Sequence, residues 1–382
     1  MMKQILPKII SSSYKGQNGR LAIIGGCLEY TGAPFYSSIS QLKGGCDLAH
    51  IFCTKQAAIP IKAYSPEIIV HPYLYSLNEE ENPEKYTPQE IQSKLQKSIK
   101  LVDDWEGALH SFVIGPGLGR DEWIESYLGD IIAGFKKQQT VVLDADGLWY
   151  LMHEYSKQNI NGKIYKSVII NDPQYHILTP NQVEFERLWK SFMEGSPLKR
   201  EEREKYMESY IADYYKLVID QPKSIKYAEL QYVEIKNLEN PIVKDTVQLA
   251  QRLNNINIVQ KGMVDVITNG KRAFLVVEKS SKKRCGGIGD ILSGLTGLYS
   301  YWGKRAFQEK SQNLTSLNSE EPIQDEATCI LLGCVLASCI TRKASHEAYQ
   351  KYQFSLTAPN VIEHVGHTFM AVYNNFFIES KL

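Results

Sequence analysis

Short apolar runs alternate with helical segments along most of this 382-residue chain, and the alternation restricts the folds open to it. The runs are β-branched or continuously apolar and mostly end at Gly, Asp or Asn, as buried parallel strands do. Helical segments between them indicate crossover units, which predict an α/β fold with a doubly wound, mainly parallel sheet. The predicted strands are 20–26, 48–53, 111–117, 140–147, 176–181, 255–262, 264–270 and 272–278, and the predicted helices between them include 33–45, 121–137, 181–190 and 244–254.

Two segments interrupt the alternation, and one turn modifies it. An Asn-Gly pair at 269–270 separates the last two predicted strands, which predicts an antiparallel hairpin at one edge of the sheet. Residues 191–243 are rich in Lys, Glu and Tyr, and we expect a helical insertion there that serves stability or assembly. Residues 304–325 are polar without periodicity and predict an exposed loop. The chain is therefore expected to form a single domain over residues 1–382.

Composition argues against several classes of partner. Lys plus Arg and Asp plus Glu both number 43, so no overall basic field attracts nucleic acid or an acidic membrane. No apolar run in the sequence approaches the ~20 residues that span a bilayer. Seven cysteines without a C-x-x-C pair indicate free thiols in a reducing compartment, so we expect a cytoplasmic protein. The first 20 residues contain lysines and serines but no acid, which leaves a mitochondrial form open.

The segment KRCGGIGDILSGLTGLYSYW, residues 283–302, places three glycines immediately before an apolar helix. The first amides of a helix have no partner within it and the macrodipole is positive there, so Gly286, Gly287 and Gly289 suit an anion. A carboxylate facing a bound phosphate would repel it, so Asp290 is better suited to take a proton from a hydroxyl. A second interpretation, in which Asp290 only caps the helix, stays open at this point.

Other motifs follow predicted strands, where the ligands of an open α/β sheet bind. Glycines in VIGPGLGRD (113–121) allow a backbone to approach a phosphate, but they lack the spacing of a dinucleotide fingerprint. Asn, Glu and Arg of TPNQVEFERLW (179–189) suit either a polar ligand or an ordinary salt-bridged helix face. Lys261 ends a strand where an ammonium can meet phosphate, and Asp144 and Asp146 suit either a site or a helix cap.

In this order, the motifs resemble the ribokinase-like superfamily and, within it, the ATP-dependent NAD(P)H-hydrate dehydratases. The Gly-Gly-x-Gly-Asp element is shared with many small-molecule kinases. The phrases YTGAPFYSS (30–38), SPEIIVHP (65–72) and TPNQVEFERL (179–188) resemble the hydrate dehydratase branch in particular. The resemblance covers nearly the whole chain apart from the two interrupting segments, and it implies a ribokinase-like three-layer α/β/α fold with an antiparallel edge hairpin.

The resemblance implies a repair lyase that uses ATP to dehydrate the S epimer of hydrated NADH or NADPH, with release of ADP and phosphate. It implies Mg²⁺ with the ATP, although the sequence shows no all-protein metal site, and Asp290 as the catalytic base. Its expected partners are these small molecules, without nucleic acid or membrane, and a homo-oligomer is possible. The implied substrate contacts are Gly117, Asn181, Gln182, Val183, Glu184, Phe185, Glu186, Arg187 and Asp290, and the implied ATP contacts are Lys261, Gly262, Met263, Val264, Asp265, Ser280, Ser281, Lys282, Lys283, Arg284, Cys285, Gly286, Gly287, Ile288 and Gly289.

Three alternatives compete with this interpretation. A vitamin or sugar kinase would use the same glycines and Asp290 but would stop at a stable phosphoester. An oxidoreductase would bind undamaged NAD through residues 115–119, although the acidic residue of the dinucleotide fingerprint is missing. A non-catalytic nucleotide-binding protein would leave Asp290 within its glycines unexplained.

Overall fold

A computed structural model describes residues 1–8, 14–136, 138–156, 162–219, 228–312 and 325–377. Ten strands within these ranges form one sheet, and twelve α-helices surround it. The strands are β1 Arg20–Ile24, β2 Leu48–Thr54, β3 Ile68–Leu74, β4 Ser111–Ile114, β5 Thr140–Leu143, β6 His176–Leu178, β7 Tyr232–Ile235, β8 Asn257–Gln260, β9 Asp265–Thr268 and β10 Ala273–Val276. The helices are α1 Gly32–Lys43, α2 Lys55–Tyr64, α3 Pro88–Glu106, α4 Glu122–Gly134, α5 Asp146–Ser156, α6 Lys163–Tyr165, α7 Gln182–Phe192, α8 Arg200–Ile219, α9 Lys244–Arg252, α10 Ile288–Gln312, α11 Glu326–Tyr352 and α12 Ala358–Phe377.

The sheet has the strand order β3-β2-β1-β4-β5-β6-β8-β9-β10-β7. The seven strands from β3 to β8 are parallel, and β9, β10 and β7 continue the sheet antiparallel. All eight predicted strands are present, and the hairpin between β9 and β10 is confirmed. The chain winds outward in one direction from β1 and in the other from β4, which is the topology of a doubly wound sheet.

Helices cover both faces of the sheet and give the predicted three layers. Successive strand residues face opposite layers, so Ile23 packs in one core cluster and Ile24 in the other. Helices α1, α10, α11 and α12 supply the first cluster, whereas α3, α4, α5, α7 and α9 supply the second. The central parallel strands are buried on both sides, so each is continuously apolar after one small polar residue at its start, as SFVI of β4 and TVVL of β5 show.

The two interrupting segments differ in part from their predictions. Residues 191–243 contain the long helix α8 and also strand β7, which pairs with β10 and extends the sheet by one strand. Helix α10 continues to Gln312, so the prediction of a loop is wrong for residues 304–312. Arg305 and Glu309 form an i,i+4 ion pair on this last part of the helix at 2.7 Å. The rest of the predicted loop up to residue 324 lies outside the described residues.

Helix α11 lies in the middle of the first core cluster. By its length and composition this helix could cross a membrane, contrary to the expectation from the sequence. However, 94% of its most apolar 18-residue stretch is buried inside the protein. Its three cysteines, Cys329, Cys334 and Cys339, are buried thiols that pack as core residues, as predicted. All seven cysteines of the chain are free.

Candidate active site

The predicted site residues gather at the carboxyl edge of the parallel strands. Asp144 directly follows β5, Asn181 begins the turn into α7 after β6, and Lys261 directly follows β8. The glycine-rich turn at 286–289 leads into α10, which packs against β4 and β5 beneath this edge. Residues that are far apart in the sequence therefore meet where β4, β5, β6 and β8 end.

Lys261 is the central cation of this edge. Its Nζ donates a hydrogen bond to Asp144 Oδ1 at 2.8 Å and lies 3.8 Å from Glu184 Oε2. Burial by itself would lower the pKa of Lys261, but the charges of Asp144, Glu184 and Asp290 outweigh it and raise that pKa. The ammonium is thus charged at neutral pH and balances the neighbouring carboxylates.

Asp144 is a site residue that the sequence did not commit to. Its Oδ1 also accepts a hydrogen bond from Thr179 Oγ1 at 2.8 Å, so two donors hold the carboxylate towards Lys261. The sequence motif LDADGLW left a site role and a cap role equally open. Only the pairing of β5 with β6, and of β6 with β8, brings the two residues together.

Asp290 occupies the first turn of α10, and its carboxyl group is only partly exposed. Burial, together with the nearby charges of Asp144 and Glu184, raises its pKa from 3.8 to about 7, although Lys261 acts in the opposite direction. Within the described residues, no backbone amide donates to this carboxylate, so the cap interpretation finds no support. A carboxyl group with a pKa near neutrality is suited to take up and release a proton.

The glycine-rich turn has distinct requirements at its three glycines. Gly287 has φ +96°, and a Cβ atom there would lie 2.5 Å from Ala358 Cβ and 2.8 Å from Tyr36 Cδ2. Gly286 has open space on its side-chain side, whereas a Cβ on Gly289 would lie 3.6 Å from Lys261 Nζ. Close packing therefore requires glycine at position 287, and open space beside Gly286 and Gly289 leaves their backbone accessible to a ligand.

A cavity of about 900 Å³ adjoins this turn and is large enough for a nucleotide. Most of the predicted ATP contacts line it, including Lys261–Asp265 and Ser280–Lys282. Lys283, Gly286 and Gly287 do not. Cavity-lining residues outside the predicted set are Arg200, Arg203, Glu204, Met207, Gln260, Leu292, Thr341 and Arg342.

Helix α7 presents its residues in different directions. Asn181 caps the helix by accepting from Glu184 N at 3.0 Å, and Asn181, Gln182 and Val183 line the cavity. The prediction for Phe185 is wrong, because its side chain is fully buried in the second core cluster and does not line the cavity. Glu186 and Arg187 are exposed and lie outside the cavity, so their predicted contacts with substrate remain predictions.

Gly117 lies outside the cavity, in the loop after β4. It has φ +59°, and a Cβ atom there would lie 2.8 Å from the Tyr30 carbonyl and 3.2 Å from Pro34 Cδ. Pro34 belongs to α1, and Tyr36 on the same helix lies near Asp290. Burial is the main cause that raises the pKa of Tyr36, and the charge of Asp290 raises it further. Gly117 therefore borders a second wall of the site, formed by the start of α1, and its contact with substrate stays a prediction.

Several predicted ATP contacts use their side chains in contacts within the protein. Asp265 accepts from Arg342 Nη1 at 3.0 Å and from Ser338 Oγ at 2.5 Å, and Val264 is buried in a third core cluster. Lys283 Nζ donates to the Leu356 carbonyl at 3.0 Å. The side chains of Asp265 and Val264 are therefore occupied within the protein, so these two residues can offer a nucleotide only their backbone.

Arg342 of α11 connects the predicted ATP-binding segment 261–265 to Glu278, which precedes the predicted segment 280–289. Its Nε donates to the Glu278 carbonyl at 2.8 Å, and its other nitrogens donate to the carbonyls of Gly262 and Met263. With Asp265, one guanidinium thus bonds four acceptors. The sequence carried no signal for this role, because Arg342 lies within an apolar core helix.

The fold and the site at the carboxyl edge of its parallel strands define a ribokinase-like protein. In this site the carboxylate of Asp290 lies beside a nucleotide-sized cavity. A ribokinase-like protein of Enterococcus faecalis aligns with a TM-score of 0.61 at 17% identity, covering 97% of this chain and 93% of that one. The ADP/ATP-dependent NAD(P)H-hydrate dehydratase of Bacillus subtilis, crystallised with ATP and Mg²⁺, aligns with a TM-score of 0.54 at 17% identity, covering 98% and 96%. The predicted fold class is confirmed.

Sequence comparison narrows the class to one family. The NAD(P)H-hydrate dehydratase family model matches residues 21–229. ATP-dependent (S)-NAD(P)H-hydrate dehydratases from mouse and human are 34% and 32% identical over 374 residues, which cover 98% of this chain and 84% of each relative. The chain belongs to the NAD(P)H-hydrate dehydratase family, and the prediction of this family from its motifs is confirmed.

Proposed function

We propose that this protein is a lyase that uses ATP to dehydrate the S epimer of hydrated NADH and NADPH. One observation carries the proposal: Asp290, with a pKa raised to about 7, stands in the first turn of α10, directly after Gly289 of the cavity lining and near Tyr36 of α1. Family membership is consistent with the same activity.

Phosphorylation makes the substrate hydroxyl a better leaving group. Asp290 takes the proton of this hydroxyl, whose oxygen forms a bond to the γ-phosphorus of ATP as the bond to the β-phosphate oxygen breaks and ADP leaves. Backbone amides at 286–289 stabilise the charge on the transferred phosphoryl oxygens. The phosphate then departs with the C–O electron pair, helped by electrons of the ring nitrogen. The neighbouring ring carbon loses a proton to solvent, and the electron pair of that C–H bond becomes the new double bond.

Lys261 gives the site a positive charge that ATP needs. Its ammonium is held between Asp144 and Glu184 and lies next to Gly289, at the end of the cavity where the transferred phosphate would sit. Asp144 fixes the position of the ammonium, because the side chain of Asp144 is itself held by Thr179. Lys261 then attracts the phosphate without requiring a large rearrangement.

Mg²⁺ is part of this proposal. No group of three His, Cys, Asp or Glu side chains within the described ranges is arranged to hold a metal ion. Mg²⁺ with ATP needs only one or two carboxylates besides phosphates and water, and Asp144 and Glu184 supply oxygens of that kind. When bound, the ion would neutralise phosphate charge.

A cytoplasmic location, a homo-oligomeric state, and the absence of nucleic-acid and membrane partners also belong to the proposal, and the free thiols are consistent with a reducing compartment.

The test is recovery of reduced cofactor from damaged cofactor. The protein is incubated with acid-generated hydrated NADH, Mg²⁺ and either ATP or ADP, and both the reduced-nicotinamide absorbance and phosphate release are followed. We expect ATP-dependent recovery with one phosphate released per NADH, and a recovery rate lower by about 10²- to 10⁴-fold with Asp290→Asn. A stable phosphoester without recovered absorbance would instead identify a small-molecule kinase, and no recovery with either nucleotide would refute the dehydratase.

A further inference from the structure

The inserted helix α8 forms one wall of the cavity, opposite the loops after β8 and β10. Arg200, Arg203, Glu204 and Met207 recur along α8 at spacings of three and four, so they share one helical face, and all four line the cavity. The sequence led us to expect a role in stability or assembly for this insertion. Its position against residues 261–265 and 280–282 indicates a part in ligand binding as well.

Arg203 is the one residue of this face whose charge is deeply buried. Its side chain is only 4% exposed, yet it forms no ion pair with any residue that the structure describes. One nitrogen, Nη2, donates to three neutral oxygens, those of the Ile242 carbonyl, Thr246 and Gln260. The guanidinium also lies 5.6 Å from the ring centre of Phe185. These contacts fix the position of the cation. No carboxylate among the described residues lies within 4 Å of it, and Asp245 acts on its charge only from farther away.

Unused hydrogen-bond donors lie beside this cation. Arg203 Nε has no hydrogen-bond partner among the described residues, and Gln260 Nε2 has none either. The Gln260 amide cannot simply reverse, because its Oε1 already accepts from both Arg203 and Thr246. Buried donors without an acceptor cost free energy, as does a buried cation without an anion. A ligand that carries negatively charged oxygens in the cavity would relieve the cost of the buried cation.

The rest of the cavity favours the same kind of ligand. Two of its carboxylates are already balanced by neighbouring arginines, Glu204 by Arg200 at 2.9 Å and Asp265 by Arg342 at 3.0 Å. Three further cations of the lining have no carboxylate partner among the described residues, namely Arg203, Lys282 and Arg284. The cavity therefore has an excess of positive charge, which suits phosphate oxygens.

We propose that Arg203 of the insertion binds the phosphate chain of the nucleotide and so makes α8 part of the ATP site. The proposal rests on the proposed function for the identity of the nucleotide, but the binding that it describes does not require dehydration. When ATP binds, its phosphate oxygens accept hydrogen bonds from the guanidinium that the neutral oxygens of α9 and β8 hold in place. The insertion then acts both as a packing element and as a source of affinity.

The experiment measures dissociation constants of the full chain for ATP, ADP, inorganic phosphate and adenosine by titration calorimetry. Arg203→Met should weaken ATP binding about 10- to 100-fold, which is the effect of one charge-assisted hydrogen bond. Adenosine binding should change less than about twofold, since adenosine has no phosphate. Lys205→Met is the matched control, because it removes a cation from the exposed side of the same helix, and it should leave ATP binding within about twofold.

Equal losses for ATP and adenosine would overturn the proposal, because a packing defect weakens both alike, and so would unchanged ATP binding. Should Arg203→Met fail to fold, hydrogen exchange of wild-type α8 decides the matter: ATP must protect α8 amides more than adenosine does, and equal protection refutes the contact. The outcome is separable from the proposed function, because wild-type protein that binds ATP through Arg203 but fails to regenerate NADH refutes only the dehydratase.

Discussion

Replacing Asp290 with Asn tests whether the carboxylate of Asp290 moves a proton. Asn has nearly the same shape and caps a helix about as well as Asp, so a capping role predicts almost unchanged turnover. A positioned general base contributes about 10²- to 10⁴-fold, and we expect turnover of Asp290→Asn to fall by that factor. ATP binding should survive and become tighter, because the substitution removes a negative charge beside the phosphates.

The same substitution has a thermodynamic signature. The pKa of Asp290 is about 7 in the folded protein, mainly through burial, against an ordinary value of 3.8. Because the folded-state pKa is the higher one, the protonated carboxyl contributes stability that is fully present below about pH 4. That contribution is lost as the pH rises through about 7, and the complete loss amounts to at most about 4 kcal/mol.

Denaturant unfolding at pH 5 and pH 8 measures this loss. Wild-type protein should be destabilised relative to Asp290→Asn at both pH values, and the difference in unfolding free energy should widen by about 2–3 kcal/mol between them. Asp213→Asn is the control, because the Asp213 side chain on α8 is 69% exposed. A difference that does not change with pH would refute the buried, raised-pKa carboxyl, and near-wild-type turnover would refute its role as the base.

Two further substitutions test the walls of the cavity. Gly287→Val places a side chain at φ +96° and 2.5 Å from Ala358, so it should lower stability by about 1–3 kcal/mol and abolish the increase in melting temperature with ATP. Gly286→Ala adds a side chain where space is open, so it should retain both the wild-type stability and the increase in melting temperature with ATP. Arg342→Met leaves Asp265 buried and unpaired, so it should cost about 3–5 kcal/mol of stability and raise KM for ATP more than it lowers kcat. Adding Asp265→Asn should restore part of that stability, and no restoration would contradict the ion-pair argument.

The central strands could be predicted because burial on both faces makes each one a continuous apolar run. Strands β3 and β7 were missed for physical reasons. Strand β3 contains His71, Pro72 and exposed Ile69 at one edge of the sheet, so its pattern is not that of a buried strand. Strand β7 lies in a charged segment and depends on pairing with β10, which local sequence does not reveal.

Parts of the site were predictable to a similar degree. Asp290 and Lys261 could be predicted as site residues because each is a charged residue beside a glycine at the end of a strand or the start of a helix. Phe185 was assigned wrongly because seven consecutive residues of a helix cannot all face one ligand when each turns by about 100°. The partnership of Asp144 with Lys261, and the contribution of Arg203, depend on the order of strands in space, which motifs do not contain.

The central position of α11 determines the order in which this chain can reach its native state. The helix is buried among α10, α12 and strands β9 and β10, and residues 2–5 also pack against it. The part of its apolar surface that α12 covers therefore stays exposed during synthesis until α12, which ends at Phe377, has left the ribosome. Contacts between such distant segments slow folding and expose intermediates to aggregation. The sheet and its C-terminal helices should consequently form one cooperative unit, in which removal of α12 destabilises the distant strands as well.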